Sequence, residues 1–328
     1  MNSILSLQSH VVHGYVGNRT IQPILTSLKV NIDIINLIQF SNHTGYNNHT
    51  GEITSSEEII KLLDVNLKCD FQYNGYILGY LSNNNNLKSI LNYLKQEYHK
   101  SYRDYIVILD PVMGDDNVIY VEENIIKEYQ SLICNDNIFT NNLVLTPNIF
   151  ELQLLTNYEN IVTKDLKMDD IYEMSSKIFE HKNNLKLLIV TNLNDLVLFN
   201  NDKFVYIMCL LKDKKLLFKV PKFDYYFTGV GDLFSGVLMY SMLNNKLIDD
   251  FSDLKNIIKS INYTLNLIHL VLQLTIDDRK DLNNLRLDDK DRVSINMKDY
   301  ELKILKSIKY LKDINNDNMV NYFDGYLS

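Results

Sequence analysis

Short, mostly apolar runs alternate along the chain with longer stretches in which apolar residues recur every three or four positions. Ser3–Leu7, Ile32–Ile38, Tyr76–Leu78, Tyr105–Leu109, Leu143–Leu145 and Leu187–Val190 are runs of the first kind, the pattern of strands buried on both faces. Asn18–Lys29, Leu87–Lys95, Ile149–Leu155 and Met168–Phe179 have the length and spacing of helices. Thr54-Ser55-Ser56-Glu57, followed by Ile59, Ile60, Leu62 and Leu63, reads as a capping box opening another amphipathic helix. Strand–helix–strand units repeated in this way predict right-handed crossovers and an α/β fold, with a largely parallel sheet covered on both faces. Asp195–Val220 breaks the rhythm and reads as two or three antiparallel strands at a sheet edge. Asp277–Met297, rich in Asp, Lys and Arg, reads as a mobile surface excursion, and the periodicity returns at Glu301–Leu311.

Composition narrows the partners. The 328 residues, with only 11 Gly and 4 Pro and no Gly/Ser linker, point to one domain over 1–328, with 277–299 as its excursion. A formal charge of −8 without a basic face argues against nucleic acid. Cys69, Cys134 and Cys209 are too dispersed for a disulfide framework or a zinc site, and predict reduced thiols in a cytoplasmic protein. Met1-Asn2-Ser3-Ile4 lacks the layout of a signal peptide. Ser260–Ile276 is uncharged, but it carries Asn262, Asn266, His269 and Gln273, so a buried helix is expected rather than a membrane span.

In an open parallel sheet, ligands bind beyond the carboxyl ends of the strands, so the residues after each predicted strand carry the candidate chemistry. These are Gln8-Ser9-His10, Ser41-Asn42-His43-Thr44-Gly45-Tyr46, Asp110-Pro111-Val112-Met113-Gly114-Asp115, Thr146-Pro147-Asn148-Ile149-Phe150-Glu151 and Thr191-Asn192. Thr228-Gly229-Val230-Gly231-Asp232 precedes a run in which Leu233, Val237, Leu238 and Met242 share a helical face. Two glycines before a helix N-terminus let consecutive N–H groups converge on an anion, and a carboxylate at that mouth can accept a proton from a substrate hydroxyl. Taken alone, Gly-x-Gly-Asp is more often a turn with a capping Asp. The third Gly, at 236, comes too late for a dinucleotide fingerprint, and no Lys-Ser/Thr follows as in a Walker loop. His10, His13, His43 and His49 lack the spacing or cysteine partners of a metal cluster and read as loop histidines. What raises the site above its parts is that several polar loops fall on one rim, in one order.

Gln8-Ser9-His10-Val11-Val12-His13-Gly14-Tyr15-Val16-Gly17-Asn18-Arg19 and Gln39-Phe40-Ser41-Asn42-His43-Thr44-Gly45-Tyr46 resemble the pyridoxal kinases of the ribokinase-like superfamily. Gly79-Tyr80, Asp110–Asp115, Thr146–Glu151 and Gly229-x-Gly231-Asp232 follow in the family's order. The resemblance implies a three-layer α/β/α ribokinase-like fold and ATP-dependent phosphorylation of the 5′-hydroxymethyl group of pyridoxal, pyridoxine or pyridoxamine. It implies Asp232 as general base, with the N–H groups of Gly229, Val230 and Gly231 and the hydroxyl of Thr228 at the phosphoryl group. Ser9 and Thr44 are implied to hydrogen-bond the pyridine ring, Val16, Phe40 and His43 to line its pocket, and Tyr80 to lie against its face. Asp115 and Glu151 are implied to position Mg²⁺ on ATP, Glu151 through water. Asp110 and Thr146 would lie near a monovalent cation (K⁺ or Na⁺) and the phosphates, Asn148 and Thr191 at the triphosphate, and Phe223 beside the adenine. A homodimer is implied as well.

The sequence departs from the family at three places. Val230 stands where many animal members carry Thr, the loop 116–120 is short for a lid over ATP, and 277–297 has no counterpart. Two alternatives are a hydroxymethylpyrimidine kinase of the same fold and a non-catalytic vitamin- or nucleotide-binding protein. The joint presence of Asp232, Asp115 and Glu151 weighs against the second. An NAD-dependent oxidoreductase lacks its glycine fingerprint after the first strand.

Overall fold

The computed structural model describes residues 2–81, 83–101, 104–134, 142–158, 163–181, 184–193, 203–279, 297–311, 314 and 319–327. In chain order its first half comprises β1 (Ser3–Val11), α1 (Asn18–Ser27), β2 (Asn31–Phe40), β3 (Gly51–Ile53), α2 (Ser56–Cys69), β4 (Gly75–Leu78), α3 (Asn84–Ser101), β5 (Ile106–Leu109), β6 (Gly114–Asp115), β7 (Val118–Ile119), α4 (Glu123–Cys134), β8 (Asn142–Leu145) and α5 (Ile149–Thr156). Then follow α6 (Met168–His181), β9 (Leu185–Leu193), β10 (Phe204–Leu210), β11 (Lys215–Pro221), α7 (Val230–Asn244), α8 (Leu254–Arg279), α9 (Ile304–Ile308) and β12 (Phe323–Tyr326). By internal packing they form two compact units, residues 1–54 with 223–321 and residues 55–222 with 322–328.

In the first unit β1 runs parallel to β2, and β3 lies antiparallel on β2. The apolar positions of β1 (Ile4, Leu5, Leu7, Val11) and α1 (Ile21, Ile24, Leu25) are buried, and α1 packs on α7. Gln8, Ser9 and His10 lie inside β1 rather than beyond it. A register shift between Gln8 and Ser9 lets pairing continue until Val11 faces Phe40. Ser260–Ile276 falls within α8, which buries Ile257, Ile261, Leu265, Ile268 and Val271 and packs on α7 and α9. Among the described residues no helix is long and apolar enough to cross a membrane.

In the second unit β4, β5, β8 and β9 pair in parallel in that order, and β9, β10, β11 and β12 continue antiparallel. The largely parallel sheet and the antiparallel edge expected from the sequence are both present. Of the predicted edge 195–220, residues 195–202 lie outside the described residues, as do 280–296 of the charged excursion. The capping box of α2 joins Ser55 to Glu58, one residue later than predicted, because Ser55 is the residue that turns extended there. Thr191 lies inside β9, which outruns its apolar core at the carboxyl end. Cys69 is an exposed and Cys209 a buried free thiol.

Asn18, fully buried at the start of α1, joins that helix to both principal strands of its unit. Its Oδ1 accepts from Ser6 Oγ at 2.7 Å, and its Nδ2 donates to the Ile35 carbonyl at 3.0 Å and to Asn36 Oδ1 at 2.9 Å. Removing one member strands the others without water, a cost of about 1–3 kcal/mol per buried polar group. Asn18→Ala is therefore expected to lower unfolding stability by about 2–3 kcal/mol, read from the urea midpoint. A loss under about 0.5 kcal/mol, the ordinary surface range, would show that the network carries no such weight.

Candidate active site

In the first unit the site begins where α7 begins. Gly229 caps the helix at φ +88° without any side-chain cap, so the first N–H groups of α7 keep no intrahelical or capping acceptor. A Cβ on Gly229 would stand 2.3 Å from the Tyr15 carbonyl oxygen, so any side chain is excluded there by contact as well as by backbone conformation. The alternative reading of Asp232 as a helix cap is not realised. It is the third residue of the helix, half-buried, and accepts the N–H of Gly17. Burial raises its carboxyl from the usual aspartate range to about 6, and the Gly17 hydrogen bond offsets only part of that rise. Thr228 Oγ1 is buried and takes no hydrogen bond among the described residues. A buried hydroxyl without a partner, beside uncapped N–H groups, suits an oxygen-rich anion.

The remaining predicted residues of this unit take varied positions. Val16 and His43 line one cleft, together with Thr228. Ser9 is buried in β1, Phe40 is half-buried with its ring 5.8 Å from that of His49, and Thr44 is exposed on the turn closed by Tyr46 N–H to the His43 carbonyl. Burial, and next the charge of His49, lower the pKa of His43 and favour its neutral form. Phe223 lies 4.8 Å from the ring of His269 and 6.3 Å from that of Phe227. Seven residues of the cleft had no role assigned at the level of sequence, Tyr46, Met297 and Glu301 among them. Tyr46 belongs to a motif already noted. Glu301 lies 255 positions away from it, with no local pattern to mark it.

The second unit holds the other carboxylates. Asp110 and Thr146 are buried at the ends of β5 and β8, and Thr146 N–H donates to the Leu109 carbonyl at 3.1 Å. Asn148 caps α5 in a reciprocal box with Glu151: Glu151 N–H donates to Asn148 Oδ1 at 2.8 Å, and Asn148 N–H to Glu151 Oε2 at 2.9 Å. Glu151 Oε1 accepts Met113 N–H at 3.0 Å, and Asn148 Nδ2 donates to the Gly114 carbonyl at 2.8 Å. Thr191 pairs with Asn148 through an isolated bridge and donates its N–H to the Pro147 carbonyl at 2.9 Å. Burial first, then the neighbouring Asp110 charge, push the Glu151 carboxyl well above its ordinary range. Tyr129 is fully buried against this pair, and its hydroxyl takes no hydrogen bond among the described residues. Asp115 is half-buried on β6, which folds back on β7 as a hairpin through Asp116 and Asn117 at positive φ. Tyr80, half-buried after β4, has its hydroxyl proton held by burial and by the charge of Glu122.

No family model matches the chain. It is 33% identical over 325 residues to the Saccharomyces cerevisiae protein named "Putative pyridoxal kinase BUD16", with 96% of each chain covered. It is 28% identical over 289 residues to the pyridoxal kinase of Ovis aries, covering 83% of this chain and 85% of that one. Its fold is similar to that of the Leishmania donovani pyridoxal kinase solved with ADP and pyridoxamine, with a TM-score of 0.78, 22% identity and full coverage of both chains.

Asp232 also carries a stability consequence. Its folded pKa, about 6, lies above the unfolded value of 3.8, so the cost of its charge is absent below about pH 4 and fully present above about pH 6. Asp232→Asn is thus expected to stabilise the fold at pH 7.5 by on the order of 2–3 kcal/mol, and to leave it level with the parent near pH 4. Urea titrations at the two pH values measure the difference. Equal stability at both would remove the desolvated carboxylate from the account.

Proposed function

The chain belongs to the pyridoxal kinases, and from that premise we propose that Asp232 is the base of an ATP-dependent phosphorylation of the 5′-hydroxymethyl group of a B6 vitamer: pyridoxal, pyridoxine or pyridoxamine. The observation that carries the assignment is an uncapped helix N-terminus beside a carboxylate that does not cap it. Asp232 takes the hydroxyl proton as the hydroxymethyl oxygen bonds to the γ-phosphorus. The bond from that phosphorus to the bridging oxygen breaks, and ADP leaves. The N–H groups of Gly229, Val230 and Gly231 donate to the oxygens on which charge develops, where preorganised donors contribute most. Thr228 supplies the hydroxyl that Val230 lacks.

Ser9 and Thr44 bind the pyridine ring, Val16, Phe40 and His43 enclose it, and Tyr80 covers a face. Phe223 flanks the adenine, while Asn148 and Thr191 reach the triphosphate. Asp110, Asp115, Thr146 and Glu151 are an all-oxygen donor set, the chemistry of hard cations, and fit Mg²⁺ and a monovalent ion, K⁺ or Na⁺. The repulsion between buried Asp110 and Glu151 favours a cation beside them. Glu151 already accepts backbone N–H groups on both oxygens, which suits a link through water rather than direct ligation. Magnesium, when bound, neutralises charge on the ATP phosphates. We further infer a single cytoplasmic domain that associates as a homodimer. Reduced, dispersed cysteines support the compartment and the family resemblance supports the dimer, for which light scattering at micromolar concentration is the check.

Pyridoxal turnover with ATP and Mg²⁺, followed by the 5′-phosphate product, tests the assignment. Asp232→Asn is expected to cut kcat by about 10²–10⁴-fold while KM stays within about threefold. For the parent enzyme, kcat/KM should rise with pH through about 6 and level off above, as the base loses its proton. A loss confined to KM, or a profile flat through that range, would remove Asp232 from the role. Turnover of hydroxymethylpyrimidine alone would keep the chemistry and move the substrate.

A further inference from the structure

The wall of the first unit's cleft carries a carboxylate that the phosphoryl chemistry does not use. Thr228 N–H donates to the Tyr300 carbonyl at 3.0 Å and Thr228 pairs with Glu301, so the backbone fixes Glu301 beside the residue that leads into the Gly229 turn. Its side chain is 15% exposed. Tyr46 donates its hydroxyl to Glu301 Oε1 at 2.5 Å. A Cβ on Gly14 would stand 2.6 Å from that same oxygen, so the carboxylate rests against bare backbone. Oε2 takes no hydrogen bond among the described residues.

The surroundings leave the charge largely uncompensated. Exposed His13 has Nε2 3.6 Å from Oε1, beyond hydrogen-bond length. Val11, Val16, Thr228 and Met297 line the cleft as neutral groups, and His43 is biased to its neutral form by burial. Burial, then Glu301 and Asp299, hold the proton on Tyr46, which therefore stays a donor. A part-buried carboxylate with one neutral partner is costly unless a cation completes it.

B6 vitamers differ at one substituent: an aldehyde in pyridoxal, a neutral hydroxymethyl in pyridoxine, and an aminomethyl group, protonated at neutral pH, in pyridoxamine. We infer that Glu301, held by Tyr46, is a specificity residue that favours the aminomethyl vitamer by accepting a charge-assisted hydrogen bond from its ammonium on Oε2. The inference rests on the B6-kinase function and on Val16 and His43 enclosing the ring.

The test compares kcat/KM for pyridoxamine and pyridoxine, two substrates of nearly equal shape, in the parent enzyme and in Glu301→Gln. Gln keeps an acceptor for Tyr46 and removes only the charge. The ratio of pyridoxamine to pyridoxine kcat/KM is expected to fall at least about tenfold. Glu301→Asp, which keeps the charge at shorter reach, is expected to hold an intermediate ratio, and it carries the comparison should the Gln protein fail to fold. A ratio that stays at the parent value in the folded variants, with both substrates losing or keeping rate together, would make Glu301 a structural clasp and overturn the inference. Failure of the parent enzyme to phosphorylate either vitamer would instead strike the kinase assignment itself.

Discussion

The close approach of the Tyr15 carbonyl to Gly229 governs the chemistry of the first unit. It excludes a side chain at the head of α7 and sets the left-handed cap, and so leaves the helix to start without a capping oxygen. Asp232, relieved of capping, takes Gly17 N–H instead and keeps a carboxyl raised to about 6 by burial rather than by a neighbouring charge. One backbone contact thus separates the uncapped N–H groups from the carboxylate.

An acidic protein that handles a polyanion must place its positive field locally, and the two units do so by different means. The first offers backbone N–H groups, whose partial charges require no counterion and are fixed by the fold. The second concentrates carboxylates, Asp110 beside Glu151, in surroundings dry enough to make their shared charge unfavourable on its own. A net charge of −8 is therefore compatible with phosphate chemistry, because neither device depends on the sum over the surface.

Most of the architecture was legible because β4, β5 and β8 are short, buried and nearly all apolar, and that pattern survives any drift in surface composition. Boundaries were less legible. Gln8, Ser9 and His10 look like a loop because they are polar, yet they remain in β1, where Asn18 and its neighbours satisfy polar groups that the apolar pattern cannot foresee. The glycine turn was visible because its residue types are required by local geometry, whereas Asn148 and Glu151 stood out only as part of a polar motif and not as the capping box they form. Glu301 was not, since its place is set by a backbone bridge to Thr228 and a hydroxyl from Tyr46, both remote in sequence.

That remoteness bears on how the protein is made. The first unit is assembled from residues 1–54 and 223–321, so α1 is synthesised long before α7 and α9, the helices it packs against. Pairing Tyr46 with Glu301 closes a loop of 255 residues, and such non-local contacts are slow to form and leave apolar surface waiting. During synthesis α1 must wait for those partner helices. The cleft becomes whole only after nearly the entire chain has been made.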